Sequence, residues 1–587
     1  MELAAAFPPA ERERWRELLK GVLRKSGAAT DETSLDAVEE LLTGQSYDGV
    51  PIAPLYTADE APASRPFPAY LRDGARDDTL AGWDVRQRHA DPRPEVTGPA
   101  ILADLESGAT SVWLTVGTAG IPVPLLGKVL EGVLTDLAPV VIDAGPQTRQ
   151  AAEAFLKIAV PGTLGNLGAD PLGLAARTGF LVPTPVDLAR QVVADHPGIR
   201  TFTVDGTVYH DAGGSDAQEL GAALAAAVAY LRELTEAGLS ADEAAGQLEF
   251  RYAANADQFA TIAKLRAARR LWARVAEVST ISDPSCRIHA VTSSAMMTRR
   301  DPWVNMLRTT IACFAAGVGG ADSVTVQPFD ARLGLPDGFS RRIARNTQTL
   351  LLEEASLARV VDPAGGSWYV ERLTEELARS AWAFFVEIER SGGLAAALQN
   401  GLIETAVADT WSLRRKDLAR RKAPLTGVSE FPNLAETLPI RDTAPEALSG
   451  GLPAVHYDLD YEDLRAWADE QPERPQVYLA TLGPVAVHTA RASFAANLLQ
   501  AGGFATVTGT PEDFPGGFAA VICSSDKLYA EGAADAAATL KAKGAGTVWL
   551  AGKGGFDGVD GNLFAGCNAV EILNAFKAAV PTSKEAQ

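Results

Sequence analysis

Three short apolar runs, LEFRY at 248–252, CRIHAV at 286–291 and DSVTV at 322–326, are separated by long helical segments at 256–275 and 302–316. Short apolar runs that alternate with helices indicate parallel strands joined by crossover helices. The same alternation extends towards the N-terminus through runs at 111–116, 138–142 and 200–204. Units of this kind repeated over ~260 residues have the size of a (β/α)8 TIM barrel, so we predict an α/β chain built on this barrel.

A second α/β block follows the barrel, which we place at 100–422. Its apolar runs lie at 476–481, 504–508, 519–523 and 547–551. A block of ~110 residues in this order suits a flavodoxin-like doubly wound domain, which we predict at 476–587. The Pro, Gly and Thr content of the intervening 423–475 is typical of a linker.

The N-terminal region divides into a helical segment at 1–44 and a proline-rich extended arm at 45–99. An amphipathic helix is predicted at 8–26, opening with Pro8-Pro9. Its apolar stripe consists of Trp15, Leu18, Leu19 and Leu23. A helix and an arm without a core of their own gain stability only on a larger surface. We expect that surface to be a partner subunit, and the chain's own barrel is the alternative.

The composition favours a cytoplasmic chain without nucleic-acid or membrane partners. A formal net charge of -21 repels polyphosphates at long range. No continuous apolar segment reaches the ~18 residues of a membrane span, and the N-terminus lacks the apolar core of a signal peptide. Four cysteines without a C-x-x-C pair fit reduced thiols better than disulfides or zinc. We therefore also expect no bound metal.

Motifs in the second half of the predicted barrel resemble those of one known family. RIARNTQ at 342–348 and VVDPAGGSWYVE at 360–371 are the most specific. VPIAPLYT at 50–57, WDVRQ at 83–87 and YHDAGGSDAQEL at 209–220 support them. These stretches are similar to methylmalonyl-CoA mutases, and the C-terminal block occupies the place of that family's cobalamin-binding domain.

The resemblance implies a fold, a reaction and a partner. Members of the family have a barrel with coenzyme A threaded along its axis, and adenosylcobalamin lies between the barrel and the C-terminal domain. They interconvert methylmalonyl-CoA and succinyl-CoA by a radical mechanism in which the cofactor carries the difficult chemistry. In many bacteria a large active subunit pairs with a smaller homologue, so the resemblance also implies a heterodimer.

The cobalamin motif D-x-H-x-x-G of active members is altered in this chain. In the family its histidine binds cobalt, its aspartate orients the histidine, and its glycine lets the chain turn near the corrin. Aligned on Gly483, this chain has Val485, Val487 and Ala490 at those positions. His488 lies one position late and is interpreted as a residue at a helix start, with a ligand lacking its aspartate as the alternative. We expect the partner subunit alone to bind adenosylcobalamin.

The predicted barrel shows similar losses. His210 resembles the active-site histidine at a strand end, and His289 resembles another family position; both are candidate relics. Val291 stands where active members have a glutamine, and Gly165 and Leu167 stand where they have a second glutamine and a positive pair. The region of the family's radical-directing tyrosine holds Asp77, Asp78 and Thr79.

Arginines in the barrel have plainer interpretations. Arg177 is interpreted as a solvent-exposed helix residue, with a grip on a substrate carboxylate as the alternative, because a guanidinium pairs both carboxylate oxygens. A run at helical spacing predicts a solvated or interface face. That run consists of Arg266, Arg269, Arg270 and Arg274.

Three functional hypotheses follow. The first is a small, non-catalytic subunit that supports an active homologue. The second is an acyl-CoA mutase active in its own right, and the third is a non-catalytic acyl-CoA sensor. Loss of the cobalt-ligand motif, both glutamines and the tyrosine favours the first. The sequence leaves open whether a vestigial acyl-CoA site persists and which acyl-CoA ester the partner converts.

Overall fold

Two parallel α/β units make up most of the chain. The computed structural model describes residues 10–60 and 82–581. Pro8-Pro9 at the predicted helix start, and Asp77, Asp78 and Thr79, lie outside the described residues. In this part of the chain no helix combines the length and the apolar character that crossing a membrane requires.

The N-terminal residues form a small hairpin of helices and a short antiparallel strand pair. The bounds are α1 (Arg12–Lys25), α2 (Leu35–Glu40), β1 (Gly44–Gln45) and β2 (Pro51–Ile52). Leu19 and Leu23 of α1 pack against Ala29 and Val38, so one side of the predicted stripe faces α2. Leu18, from the same stripe, is exposed.

Eight parallel strands close into the predicted TIM barrel, so the fold prediction is confirmed. The strands are β3 (Asp84–His89), β4 (Ser111–Thr115), β5 (Val140–Asp143), β6 (Gly165–Ala169), β7 (Ile199–Asp205), β8 (Leu248–Ala254), β9 (Ile288–Thr292) and β10 (Ser323–Thr325). Each strand pairs with its sequence neighbour, and β10 closes the barrel on β3. Apolar clusters between strands and outer helices form its core.

Two strands were missing from the sequence prediction. β3 lies inside the predicted arm at 45–99, and its sequence DVRQRH has too little apolar character to be read as a strand. The polar side chains of Arg86 and Arg88 are accommodated because they point into a charged barrel interior, described below. β6, with the sequence GNLGA, is the other missing strand.

The helices of the barrel region are α3 (Pro94–Glu106), α4 (Leu126–Val129), α5 (Thr148–Leu156), α6 (Pro171–Thr178), α7 (Val186–Asp195), α8 (Thr207–Asp211), α9 (Asp216–Glu236), α10 (Ala241–Gly246), α11 (Gln258–Val278), α12 (Val304–Val318), α13 (Gly338–Thr349), α14 (Trp368–Arg390), α15 (Leu394–Gln399) and α16 (Leu402–Ala419). The arginine run on α11 is not a solvated face, because Arg266 and Arg269 are buried. Arg266 pairs with Glu371 at 2.7 Å, and Arg269 pairs with Asp322 at 2.9 Å. The prediction for these two residues was wrong because their acidic partners lie far away in sequence.

The predicted linker follows the carboxyl-end rim of the barrel. The backbone N–H groups of Leu452, Val455 and Tyr457 donate to carbonyls of Ala176, Asp211 and Ala295, at 2.7, 2.7 and 2.9 Å. Helix α17 (Leu459–Asp469) then places its side chains in the core of the second unit. The stretch 423–475 therefore contains ordered structure that contacts both units.

A five-stranded parallel sheet forms the second unit. Its elements are β11 (Gln476–Thr481), α18 (Val485–Ala501), β12 (Ala505–Gly509), β13 (Gly517–Cys523), α19 (Asp526–Ala542), β14 (Ala545–Ala551), β15 (Gly561–Leu563) and α20 (Ala569–Ala579). The strand order β12-β11-β13-β14-β15 is the flavodoxin-like order 2-1-3-4-5. Its topological switch point, where ligands bind in such sheets, lies between β11 and β13.

Candidate functional site

Charged side chains cross the interior of the barrel. Arg86 on β3 forms an ion pair with Glu249 on β8, and both side chains are almost fully buried. These strands are not neighbours in the sheet, so the pair spans the interior. Arg86 also donates to Oγ of Ser111 at 3.2 Å. Bulky aliphatic residues dominate most TIM-barrel interiors. This barrel differs, because an ion pair occupies its interior.

A second layer of the interior centres on Trp113. The guanidinium groups of Arg88 and Arg251 lie over its ring at 4.6 and 4.2 Å from the ring centre. The ring of His289 meets it edge-on at 5.3 Å. His289 is fully buried: its Nδ1 accepts from Nε of Arg251 at 3.3 Å, and its Nε2 lies 2.8 Å from Oγ1 of Thr325. Burial lowers the pKa of His289 well below its usual value, so this ring is a neutral packing element.

A cavity of about 340 Å³ lies above this layer, at the carboxyl ends of β5 to β8. Arg177 from α6 lines it and donates to Oδ2 of Asp205 at 2.5 Å, which also accepts from Arg251 at 3.0 Å. Asp143 and Asp170 line the same cavity. Burial, the largest cause, raises the pKa of Asp170 to about 7. Arg177 is thus a half-buried member of an ion network and not a solvent-exposed helix residue.

His210 lies outside this cavity lining, in a buried cluster of polar groups. It sits on α8, directly after β7, and its Nε2 lies 2.7 Å from Oγ of Ser293. Burial lowers its pKa to about 3. Its Nδ1 is 3.8 Å from Glu219, which accepts from the ammonium of Lys264 at 2.7 Å. Lys264 also pairs with Asp216 at 2.8 Å.

The Lys264 ammonium supplies the positive charge that this cluster needs. His210, Asp216 and Glu219 offer atoms within 4.8 Å of one another, as a metal site would. Burial alone would lower the pKa of Lys264, but the two carboxylates outweigh burial and raise it. Burial raises the pKa of Glu219 to about 7. The Lys264 ammonium therefore balances the charge of Asp216, and the raised pKa of Glu219 means that this carboxyl is readily protonated.

The crevice at the switch point of the second unit is bridged by side chains. Oγ of Ser524, after β13, donates to the carbonyl of Leu482, after β11, at 2.9 Å. Arg491 on α18 reaches across to Asp526 at the start of α19, at 2.7 Å, and to the carbonyl of Ala551 at 3.2 Å. The Ser524 bond joins the two loops between which a ligand of this fold would enter, and Arg491 joins α18 to α19 and to the end of β14 beside them.

Tyr529 completes the bridge. Its hydroxyl donates to the carbonyl of Ala551 at 2.7 Å and accepts from the N–H of Ser524 at 2.8 Å. The guanidinium of Arg491 lies 5.1 Å from the centre of its ring. Against Gly552 the packing is so close that an added Cβ would overlap the Arg491 guanidinium. A ligand that approached Gly552 would have to displace the Arg491 guanidinium, the end of a flexible and partly exposed side chain.

The three motif positions and His488 lie on the first turns of α18. Val485 is strongly exposed, Ala490 is exposed, and Val487 is half-buried. Hydrocarbon side chains offer no atom that binds cobalt. His488 is half-buried, and its buried Nδ1 has no hydrogen-bond partner among the residues that the structure describes. No aspartate orients its ring, so these residues do not fit the cobalamin that the resemblance implies.

Sequence reasoning missed Arg491, Tyr529, Lys264 and Glu219. Most of them act through a partner that is remote in the chain: Lys264 and Glu219 are 45 residues apart, and Arg491 and Asp526 are 35 residues apart. A buried lysine in the middle of α11 carries no local signal. Arg491 lies one position past Ala490, and nothing in its sequence context predicts that it reaches Asp526.

Comparisons with known proteins agree with the motifs. A family model described as methylmalonyl-CoA mutase matches residues 180–450. The methylmalonyl-CoA mutase small subunit of Streptomyces virginiae is 54% identical over 98% of this chain and 97% of its own length. That of Propionibacterium freudenreichii subsp. shermanii is 37% identical over 98% and 96%. A methylmalonyl-CoA mutase of Cereibacter sphaeroides is 29% identical over 73% of this chain and 65% of its own length.

Proposed function

The chain belongs to the methylmalonyl-CoA mutase family, and from that premise we propose that it is the small, non-catalytic subunit of a heterodimeric enzyme. Its partner is a homologous large subunit that isomerises methylmalonyl-CoA and succinyl-CoA. Adenosylcobalamin, bound by that large subunit, supplies the radical chemistry. The small-subunit names of the relatives and their coverage of nearly the whole chain support the pairing.

The bridged crevice of the second unit carries this proposal. Ser524 holds the loops after β11 and β13 together, and Arg491 links α18 to α19 and packs directly on Gly552. With Val485 and Val487 where the family has its aspartate and histidine, the motif positions supply no cobalt ligand. A ligand at Gly552 would also have to displace Arg491. A subunit without the cofactor has no source of the radical.

The barrel interior supports the same conclusion for the substrate. The Arg86–Glu249 pair and the Trp113 layer occupy the axis along which the family threads coenzyme A. Opening it would separate a buried ion pair, which costs on the order of 3–5 kcal/mol when one charge is left alone. The remaining cavity beside Arg177 is the place for any vestigial acyl-CoA site, and we propose that it admits no threaded thioester.

Titration of the isolated chain with cobalamin tests the first part of the proposal. The visible spectrum of cobalamin is expected to stay that of the free cofactor. The Val487→His variant should behave in the same way, because Arg491 and Ser524 still close the crevice. A stoichiometric complex of the unmodified chain with a histidine nitrogen on cobalt would refute a non-catalytic subunit.

Reconstitution tests the second part. The isolated chain is expected to show no mutase turnover, and activity should appear when the large subunit and adenosylcobalamin are added. Turnover by this chain alone with adenosylcobalamin would favour the alternative, an acyl-CoA mutase active in its own right. Stoichiometric binding of an acyl-CoA without turnover would favour the sensor.

The remaining proposals concern the setting. The four cysteines are all buried and free, which supports a reducing, cytoplasmic location. The acidic net charge supports a chain without nucleic-acid partners. We propose no metal ion for the His210 cluster, because the Lys264 ammonium already occupies the place of a cation between Asp216 and Glu219.

A further inference from the structure

The outer faces of two neighbouring barrel helices, α12 and α13, present large apolar side chains to solvent. Trp303, at the start of α12, is 47% exposed, Leu307 is 65% exposed and Ile311 is 40% exposed. These three residues follow the spacing i, i+4, i+8, so they lie on one face of α12. Phe339 on α13 is 43% exposed. Together with Arg342 these residues are called the α12–α13 face.

The side chains of the α12–α13 face form one connected surface. The ring of Trp303 stacks on the buried ring of Phe329 at 4.6 Å, and Phe329 contacts Phe339 edge-on at 6.1 Å. The Arg342 guanidinium lies 5.4 Å from the centre of the Phe339 ring. A packed aromatic row therefore links the two helices and holds the rings of Trp303 and Phe339 in place.

The α12–α13 face is unusual in its charge. The only charged residue of α12 is Arg308, which is buried and bonds to Thr298, Asn305 and the carbonyl of Thr426. Neither α12 nor α13 contains an acidic residue. In a chain with a net charge of -21, the exposed charge on these two helices is the cation Arg342, and Asp337, which caps α13, is already paired with Arg441 at 3.0 Å. Solvated helix faces normally carry mixed charges, so this face has the composition of an interface.

The exposed apolar area of the α12–α13 face is large enough to form the centre of an obligate subunit contact. The four apolar side chains are each about half exposed and present roughly 400 Å², the size of the largest functional patch on a typical monomer. A stable pair buries about 800 Å² on each partner. The α12–α13 face thus provides the apolar core of such a contact, and surrounding residues provide the polar rim.

From these observations we infer that the α12–α13 face docks the large subunit. This inference rests on the proposed function and adds the surface through which it acts. A second copy of this chain is a poorer occupant, because a two-fold contact centred here would bring Arg342 towards its own copy. A homologous but different subunit can place a carboxylate opposite Arg342 and an apolar helix opposite Leu307 and Ile311.

Substitution of the face, with a matched control, tests this inference. Leu307→Glu and Ile311→Glu introduce a buried charge at the contact and are expected to weaken assembly with the large subunit at least tenfold. Leu413→Glu on α16 changes a leucine that is 52% exposed in another helix, and it should leave the affinity unchanged. Binding is measured by sedimentation or interferometry with the purified large subunit. Circular dichroism and thermal melting verify that every variant is folded.

The outcomes separate this inference from the proposed function. If the unmodified chain fails to bind the large subunit, the proposed function itself is wrong. If it binds and both α12 variants bind equally well, only the inference about this surface is overturned. If the isolated chain self-associates and the variants abolish that association alone, the occupant is a second copy, and the inference is again overturned.

Discussion

His210 illustrates how one residue can keep its place and change its role. The resemblance marks it as an active-site histidine, yet its ring is fully buried and engaged by Ser293 at 2.7 Å, with Glu219 behind it. Burial holds its pKa near 3, so it stays neutral across the physiological range. A buried neutral ring with a fixed partner contributes to packing, whether or not substrate ever approaches it.

Replacement of His210 by alanine is expected to leave the turnover of the assembled enzyme unchanged and to destabilise this chain by about 2 kcal/mol, because a buried hydrogen bond and its packing are lost. The loss of folding stability caused by the substitution should depend on pH. The pKa of His210 is lowered in the folded state, so the unfolded chain binds the extra proton between about pH 3 and ~6.5. The unmodified protein therefore loses folding stability as pH falls below ~6.5, whereas the alanine variant has no histidine at this position and does not.

Urea unfolding of both proteins at pH 7.5 and 5.5 measures this effect. The stability difference between them should shrink by roughly 1 kcal/mol at the lower pH. Glu219 titrates in the opposite sense in both proteins, so it cancels to first order in the difference. A difference that grows on acidification would show that His210 is charged in the folded chain. Loss of turnover in the assembled enzyme would show that it still acts in catalysis.

The sequence could predict which site positions are degenerate, but not what replaced them. Val485, Val487 and Ala490 stand in a short, ordered motif, so their loss is readable from the chain alone. The closure of the crevice depends on Arg491 meeting Asp526 and Gly552, which only the fold brings together. Long-range pairs of this kind leave no periodicity or spacing in the sequence.

Elements were predictable where apolar side chains follow one another in strands that are buried on both faces. The strands at 111–115, 199–205, 248–254 and 288–292 carry dense apolar runs and were recognised. The glycine-rich strand β6 was not, because its contacts are made by backbone. A Cβ on Gly165 would overlap the carbonyl oxygen of Val140, and one on Gly168 would overlap that of Ile142. Gly168 also has a φ of +67°, which side chains rarely tolerate.

Helix α17 couples the two α/β units. Arg300, in the segment after β9, donates to Glu462 at 3.0 Å and pairs with Asp469 at 2.7 Å, and both acids lie on α17. Tyr461 and Leu464 of the same helix are buried in the core of the second unit. The ion pairs therefore connect the carboxyl-end rim of the barrel to the core of the other unit.

Arg300→Ala is expected to reduce the cooperativity of unfolding. It leaves Glu462, which is largely buried, without its closest cation, at a cost of about 3 kcal/mol. The second unit should then unfold before the barrel, and fluorescence and circular dichroism in urea should give separate transitions. Arg299→Ala is the matched control. The Arg299 side chain is 53% exposed and lies 3.6 Å from Glu462, farther than Arg300, so the expected loss of stability is below about 1 kcal/mol. Equal effects of the two variants would contradict this account of the coupling.

At the scale of the whole molecule, the N-terminal hairpin is separable from the barrel. Arg12 and Arg16 of α1 both bond to Glu39 of α2, at 2.8 and 3.0 Å, and Leu23 packs on Val38 between the helices. The chain becomes tied to the barrel region further along, where the Tyr47 hydroxyl donates to Asp417 at 3.1 Å. Leu18 and Val22 remain exposed on the outer side of α1.

Deletion of residues 1–40 should therefore leave the barrel intact and weaken capture of the large subunit. The deletion removes the α1–α2 contacts together and deprives Glu60, which is 35% exposed, of its pair with Arg12 at 3.1 Å. Because a partly exposed ion pair contributes little, the melting temperature should change by no more than a few degrees. The exposed Leu18 and Val22 are lost with the hairpin. An amphipathic helix without its own core gains stability when it lies on a larger surface, and the large subunit is the surface we expect. Co-purification and sedimentation with the large subunit measure the loss of affinity.

The double variant Leu18→Glu/Val22→Glu keeps the hairpin and should reproduce this loss of affinity, which separates a direct contact from a folding effect. Unchanged affinity of the truncated chain would assign the hairpin to its own subunit and leave the α12–α13 face as the sole proposed contact.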